Sequence, residues 1–167
     1  MRDEGAATNF LAYAQDVLKE HYLPKIKEAV MLLSDAEIWA REGDVSNSIG
    51  NLLLHLSGNI RQHIIAGAGG LSDVRNRPLE FAARGGIPKE KLLHQLEQTV
   101  NDAVDVLKNL KPETLGERRT VQDKDVLLID DIFHVIEHFA YHTGQIIYVA
   151  KAVKQHDFGW YKYLDPK

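Results

Sequence analysis

Apolar residues recur at threes and fours along four long stretches of the chain, the spacing that places them on one face of an α-helix. The first stretch runs from about Ala7 to Leu33, with Phe10, Leu11, Ala14, Leu18, Ile26 and Leu33 among its apolar positions. Pro24 lies inside it. Proline lacks the amide proton and crowds the preceding turn, so the pattern predicts a kink there or two abutting helices. Ser34-Asp35 reads as the N-cap of a short turn through Trp39. The second stretch runs from about Ser46 to Ala66, capped by Ser46 or Asn47 and ended by Gly67-Ala68-Gly69-Gly70. The third follows Pro88 and continues to Leu110, where Lys111-Pro112 stops it. The fourth runs from about Asp125 to Gln155, and its stripe includes Val126, Ile129, Ile132, Phe133, Ile136, Phe139, Ile146 and Ala150. No sustained period-two alternation with hairpin turns occurs, so no strand is required beyond a short extended piece at Arg118 to Gln122.

Four long amphipathic helices predict an all-α fold, a four-helix bundle forming one domain over residues 1–167. The connector from Gly67 to Ile87 is far longer than an antiparallel helix pair needs. Extended, it can cross the length of the bundle. Helices two and three then run parallel, in up-down-down-up order with a long crossover between them. The connector carries Arg75, Arg77 and Arg84, with Glu80 and Phe81 among them. It reads either as a solvated loop whose arginines pair with nearby carboxylates, or as a lid over one bundle end that recognises an anionic group.

Composition narrows the chemistry. With 167 residues, 44% of them hydrophobic, the chain can bury a core and is not of disordered type. No apolar run approaches the ~18 residues of a membrane span. The absence of cysteine excludes a disulfide scaffold, a thiolate nucleophile and any zinc site built on thiolates. A net charge of -4 gives no general attraction to nucleic acid or to anionic lipid. The start, Met1-Arg2-Asp3-Glu4, lacks the pattern of an export signal, and a cytoplasmic location is expected. The unusual feature is eight histidines.

Their placement is informative. His134, His138 and His142 lie four apart on the fourth helix. At about 100° per residue, His138 and His142 fall roughly 240° and 280° from Ile132, on one flank of the apolar face. His134 sits further round, near 200°, with Gln145 near 220°. On the second helix His55, Asn59 and His63 fall at roughly 240°, 280° and 320° from Ile49, again bordering the core. Two helices of one bundle therefore each carry histidines at the inward edge. Imidazole nitrogens suit several transition metals, and three histidines with an open position describe a catalytic rather than a closed structural site. His63 and His134 read as groups supporting such a site or as surface residues. His21, His94 and His156 have no comparable setting.

Other chemistries find no support. Glu137 precedes His138 and points about 100° away from it, so the His-Glu-x-x-His arrangement of a metalloprotease is absent. No strained serine turn or phosphate-cradling glycine loop occurs, and the Gly67-Ala68-Gly69-Gly70 cluster follows a helix rather than a strand.

The segment Asn51-Leu-Leu-Leu-His55-Leu-Ser-Gly-Asn59, taken with His138-x3-His142-x-Gly144-Gln145, resembles the DinB/YfiT-like superfamily of metal-dependent four-helix bundles. Asn47-Ser-Ile49, Arg75-Asn-Arg77 and Glu80-Phe81 bring the chain near a bacterial subgroup of uncharacterised function, and the likeness extends from about Phe10 to Tyr161. The resemblance implies an up-down-down-up bundle and a three-histidine metal site at His55, His138 and His142. Several members of that superfamily are thiol-S-transferases using bacillithiol or mycothiol, and one branch is a mycothiol-dependent isomerase.

These readings give the expectation of a divalent-metal-dependent transferase. Zn or Ni is the expected ion, with Fe or Mn as alternatives. A low-molecular-weight thiol and an electrophile are the expected partners, with neither nucleic acid nor membrane involved. Asn59 or Gln145 would orient a ligand or water, and Arg75 and Arg77 would bind a carboxylate of the thiol. The rival expectation is a metal-binding or sensory bundle without turnover. The aromatic tail from Phe158 to Leu164 would then form a homodimer surface, or else fold onto its own bundle.

Overall fold

The computed structural model describes residues 5–164. Met1 to Glu4, read above for an export signal, lie outside the described residues. The chain is mostly helical, with one small two-stranded sheet. No described helix is long and apolar enough to cross a membrane.

Four long helical rods dominate. The first comprises α1 (Ala6–Asp16), a π-helical stretch (Val17–Tyr22) and α2 (Leu23–Met31). Pro24 sits in the first turn of α2, where its missing amide proton is least costly, and the widened π turns lie directly before it. The expected break is therefore a change of helical pitch. The short helix α3 (Asp35–Trp39) is capped by Ser34, which accepts from the Glu37 amide while the Glu37 carboxylate accepts from the Ser34 amide.

The second rod is α4 (Ile49–Ile60), followed by π-helical Arg61–Ala68. Its cap is Ser48, one or two residues later than the sequence suggests, because Asn51 completes a reciprocal box with it. The glycine cluster ends the rod as expected, Gly70 adopting φ +75°. The connector that follows contains a short helix, α5 (Arg77–Ala82), packed against α4. The third rod, α6 (Lys89–Asn109), begins after Pro88 as the pattern predicts.

A β-hairpin stands where the sequence suggests only a short extended piece. Strand β1 (Arg118–Val121) pairs antiparallel with β2 (Lys124–Leu127), and Gln122 and Asp123 both have positive φ, as a two-residue hairpin turn requires. The fourth rod, α7 (Leu128–Lys154), consequently starts three residues later than Asp125, because Asp125 to Leu127 belong to the sheet. Phe133 is 51% exposed rather than part of the buried stripe. It lies about 100° from Ile132, outside the arc the core can cover.

The first rod and α4 each pack against both α6 and α7. Leu18, Ile26, Leu53, Leu56, Leu96 and Phe139 are among the sealed side chains between them. The packing of α4 against α7 is the contact on which the site depends.

Candidate metal centre

His55 projects from α4 at a buried position, and His138 and His142 project from α7, His142 buried and His138 partly so. One nitrogen from each of the three lies within 4.8 Å of those of the other two. The Nε2 atoms of His55 and His138 are 2.8 Å apart. The rings of His55 and His142 stand edge to face at 5.1 Å, and those of His138 and His142 at 4.5 Å. Nitrogens bound to one tetrahedral ion at about 2.0–2.1 Å stand about 3.3 Å from one another. The 2.8 Å contact is shorter than that value and no pair exceeds 4.8 Å, so small ring movements suffice to share a cation.

The opposite edges of two rings are fixed by oxygen. His55 Nδ1 is 2.8 Å from Glu80 Oε2, and His142 Nδ1 is 2.7 Å from Gln145 Oε1. Assigned from these neighbours, both Nδ1 atoms carry the proton and donate it; Arg75 Nη2, 3.0 Å from His55 Nδ1, directs its own proton to Glu80 Oε2. That leaves the Nε2 atoms of His55 and His142 without a proton, the tautomer a metal ligand needs, with His55 Nε2 facing His138 Nε2. Burial, and then the neighbouring His142 and His55, hold the His138 imidazole down at about 3, so it is neutral. Burial likewise lowers His142, against the raising effect of its bond to Gln145. Three imidazoles with two anchored back edges are the donor set expected of a divalent transition-metal site.

Glu80 enters from α5. Its carboxylate receives two bonds from Arg75, Nε to Oε1 at 2.7 Å and Nη2 to Oε2 at 2.9 Å. The Arg75 side chain is only 3% exposed and also donates to Gln62. Burial alone would raise the Glu80 carboxyl, but bonding and charge from Arg75 and His55 outweigh it and hold the group below the ordinary carboxylate value. Gly58 makes this approach possible. A side chain at that position would run into the Glu80 carboxylate and the Arg75 guanidinium. Phe81 covers the His55 ring at 4.7 Å, and the exposed Arg77 lies over Phe81 at 4.8 Å.

The remaining candidates are placed as follows. Asn59 is buried one helical turn beyond His55, and its amide makes no hydrogen bond among the described residues. Gln145 holds His142 and lines a cavity of about 560 Å³ with Tyr141 and Tyr148. His63 and His134 lie beside the triad, outside its ligand set. His63 Nδ1 pairs with the buried Asp131 at 2.7 Å, while the exposed His134 packs between His63 and His138. His21, His94 and His156 are exposed. Sequence reasoning missed the roles of Glu80, Gly58 and Asp131. A carboxylate among the connector arginines, five residues after Arg75, was the available sign of the first.

Residues 5–163 match the model of a family described as "Protein of unknown function (DUF1572)". The chain belongs to that family. A solved structure described as a conserved protein of a locus from Enterococcus faecalis resembles this DUF1572 protein in fold, with a TM-score of 0.71. The two share 17% sequence identity over 87% of this chain and 97% of the other. No curated protein matches the chain.

Proposed function

We propose that this DUF1572 protein is a divalent-metal-dependent transferase acting with a low-molecular-weight thiol of the bacillithiol or mycothiol type. The observation that carries this reading is the convergence of His55, His138 and His142 with the outer edges of two rings anchored. Three imidazoles leave a fourth position for a small molecule. A divalent ion held there supplies Lewis acidity that favours thiolate over thiol. With no cysteine in the chain, the thiol comes from solution.

The protein's own residues position the reactants. Glu80 and Gln145 keep His55 and His142 in the metal-binding tautomer. Asn59, buried and unengaged, orients the bound thiol or a water. Arg77 offers an exposed guanidinium to a carboxylate of the thiol, while Arg75 acts through Glu80. Zn or Ni is the ion we favour for three imidazoles, with Fe or Mn as alternatives. In the same reading the chain is one DinB-like four-helix bundle domain over residues 1–167, in up-down-down-up order, located in the cytoplasm. Its partners are small molecules, with neither nucleic acid nor membrane involved.

A second reading is favoured by one feature. Glu80, the carboxylate that touches the triad, is already committed to Arg75 and His55 and is not free to act as a base. The protein would then be a metal-binding or sensory bundle without turnover, acting as a homodimer or through a partner. Incubating metal-loaded protein with bacillithiol or mycothiol and a test electrophile decides between them. Thiol transfer above the metal-free control supports the transferase. Its absence, together with a metal-dependent change in gel-filtration volume, supports the second reading.

A further inference from the structure

A cavity of about 450 Å³ opens between the C-terminal tail, the first rod and α7, and none of the three triad histidines lines it. Tyr22, Ala140 and Ile147 supply apolar wall. The tail supplies Phe158 and Trp160, stacked with ring centroids 4.3 Å apart and planes inclined by 13°. Trp160 is anchored by its Nε1, which donates to Glu28 at 2.7 Å.

The charge around this cavity is opposite to that of the chain. Lys25, Lys151 and Lys162 line it with one carboxylate, Asp157, while Glu28 stands behind Trp160 outside the lining, although the net charge of the protein is -4. Lys162 faces Asp157 at 3.5 Å. Lys25 donates to the Tyr161 hydroxyl and to Nε2 of the lining His21, both at 3.1 Å, and lies near the Trp160 and Tyr161 rings, contacts that fix it without neutralising it. The Lys151 ammonium makes no hydrogen bond or close ion pair among the described residues, and shares the field of Asp157 with Lys162.

Gly144 adds an independent observation. It lies inside α7 and lines this cavity, yet a Cβ placed on it would meet nothing within 4 Å. Glycine weakens a helix interior relative to alanine, and no neighbouring atom here requires its small size. The missing side chain leaves open space at the ridge between this cavity and the one beside Gln145, both of which Gly144 lines.

We propose that this cavity is a binding site for a small amphipathic anion, an aryl or short acyl body carrying one carboxylate or phosphate. The apolar body lies along Ile147 and Tyr22, and the anionic group is placed by Lys25 and Lys151, whose point charges suit either head group. The volume is within the range of small-molecule sites, about 300–1,000 Å³.

The test uses full-length protein stripped of metal, so that no anion can bind through an ion at the triad. Benzoate, phenyl phosphate and neutral benzyl alcohol are titrated while Trp160 fluorescence is followed, with Trp160→Phe identifying its signal against that of Trp39. Saturable binding of either anion at millimolar concentration or tighter is expected. Benzyl alcohol should bind at least about tenfold more weakly. Lys151→Ala should weaken anion binding about tenfold, and Gly144→Leu should abolish it while circular dichroism stays unchanged. Response to one anion alone identifies the head group. No saturation with either anion, equal binding of benzyl alcohol, or affinity untouched by Lys151→Ala overturns the proposal. Should Gly144→Leu fail to fold, the lysine variant and the neutral probe still decide.

Discussion

Glu80 Oε2 lies 2.8 Å from His55 Nδ1, joining the connector to the histidine from α4 across 25 positions of chain. The same carboxylate neutralises a guanidinium that is almost wholly buried. Removing it therefore has two effects. Glu80→Ala should cost about 3–5 kcal/mol in urea unfolding, because Arg75 is left buried and unpaired. Glu80→Gln should cost less in stability yet still weaken Zn binding about 10- to 100-fold in calorimetric titration.

Gly58→Ala is expected to destabilise the protein, although alanine is the better helix former by about 1 kcal/mol. The added methyl occupies the space taken by Glu80 and Arg75. A small loss of unfolding free energy accompanied by weaker Zn binding is the expected pair of results. A gain in stability with unchanged affinity would mean the connector yields freely.

Metal retention is the most direct check on the triad. Wild-type protein purified without an affinity tag should retain divalent metal in elemental analysis, and His55→Ala should not. Added Zn should raise wild-type stability by about 2.7 kcal/mol at a free concentration 100 times Kd. The increment should vanish in His55→Ala and after chelation.

Acid should destabilise the metal-free protein well above the usual carboxylate range. His138 titrates at about 3 in the folded chain, against 6.5 for a free imidazole. Between those values the unfolded chain takes up a proton that the folded chain refuses, so stability is complete above about 6.5 and declines as pH falls toward about 3. His142 and His134 are lowered and act in the same direction. Glu80 adds a further loss below the ordinary glutamate value. Urea midpoints measured from pH 8 to 4 should fall, and His138→Phe should flatten the slope between about 6.5 and 4.5.

His63 and Asp131 should prove strongly coupled. The pair is buried, and the second carboxylate oxygen, Oδ2, has no hydrogen-bond partner. His63→Ala leaves an uncompensated buried carboxylate and should cost about 3–5 kcal/mol. The double variant with Asp131→Ala should cost much less than the sum of the two single changes, a coupling that a double-mutant cycle in urea measures directly.

The rods were legible because each carries its own periodicity and end signals. Pro88, Lys111-Pro112 and the glycines from Gly67 act locally, and the structure follows them. The pair on α7 was legible for the same reason, since His138 and His142 hold angular positions at the edge of an apolar stripe, whereas His55 was singled out over His63 by the motif resemblance and not by its angle. The hairpin was not, because its turn uses Gln122-Asp123 in place of the glycine-bearing pairs that favour positive φ. Glu80 was obscured differently. Its meaning depends on how the connector lies over α4, a long-range relation that no local pattern encodes. Asp131 fell within the first turn of α7, where an acidic residue is expected anyway.

The division between rods and connector has an evolutionary consequence. The three histidines sit on frames whose other faces make up the core, so packing holds their spacing. The group that tunes the basicity of His55 arrives on a strap outside that core. Exchanging residues 75–81 can thus alter the setting of His55 without rebuilding the scaffold, and chains built on one helix set can diverge in chemistry by editing one crossover.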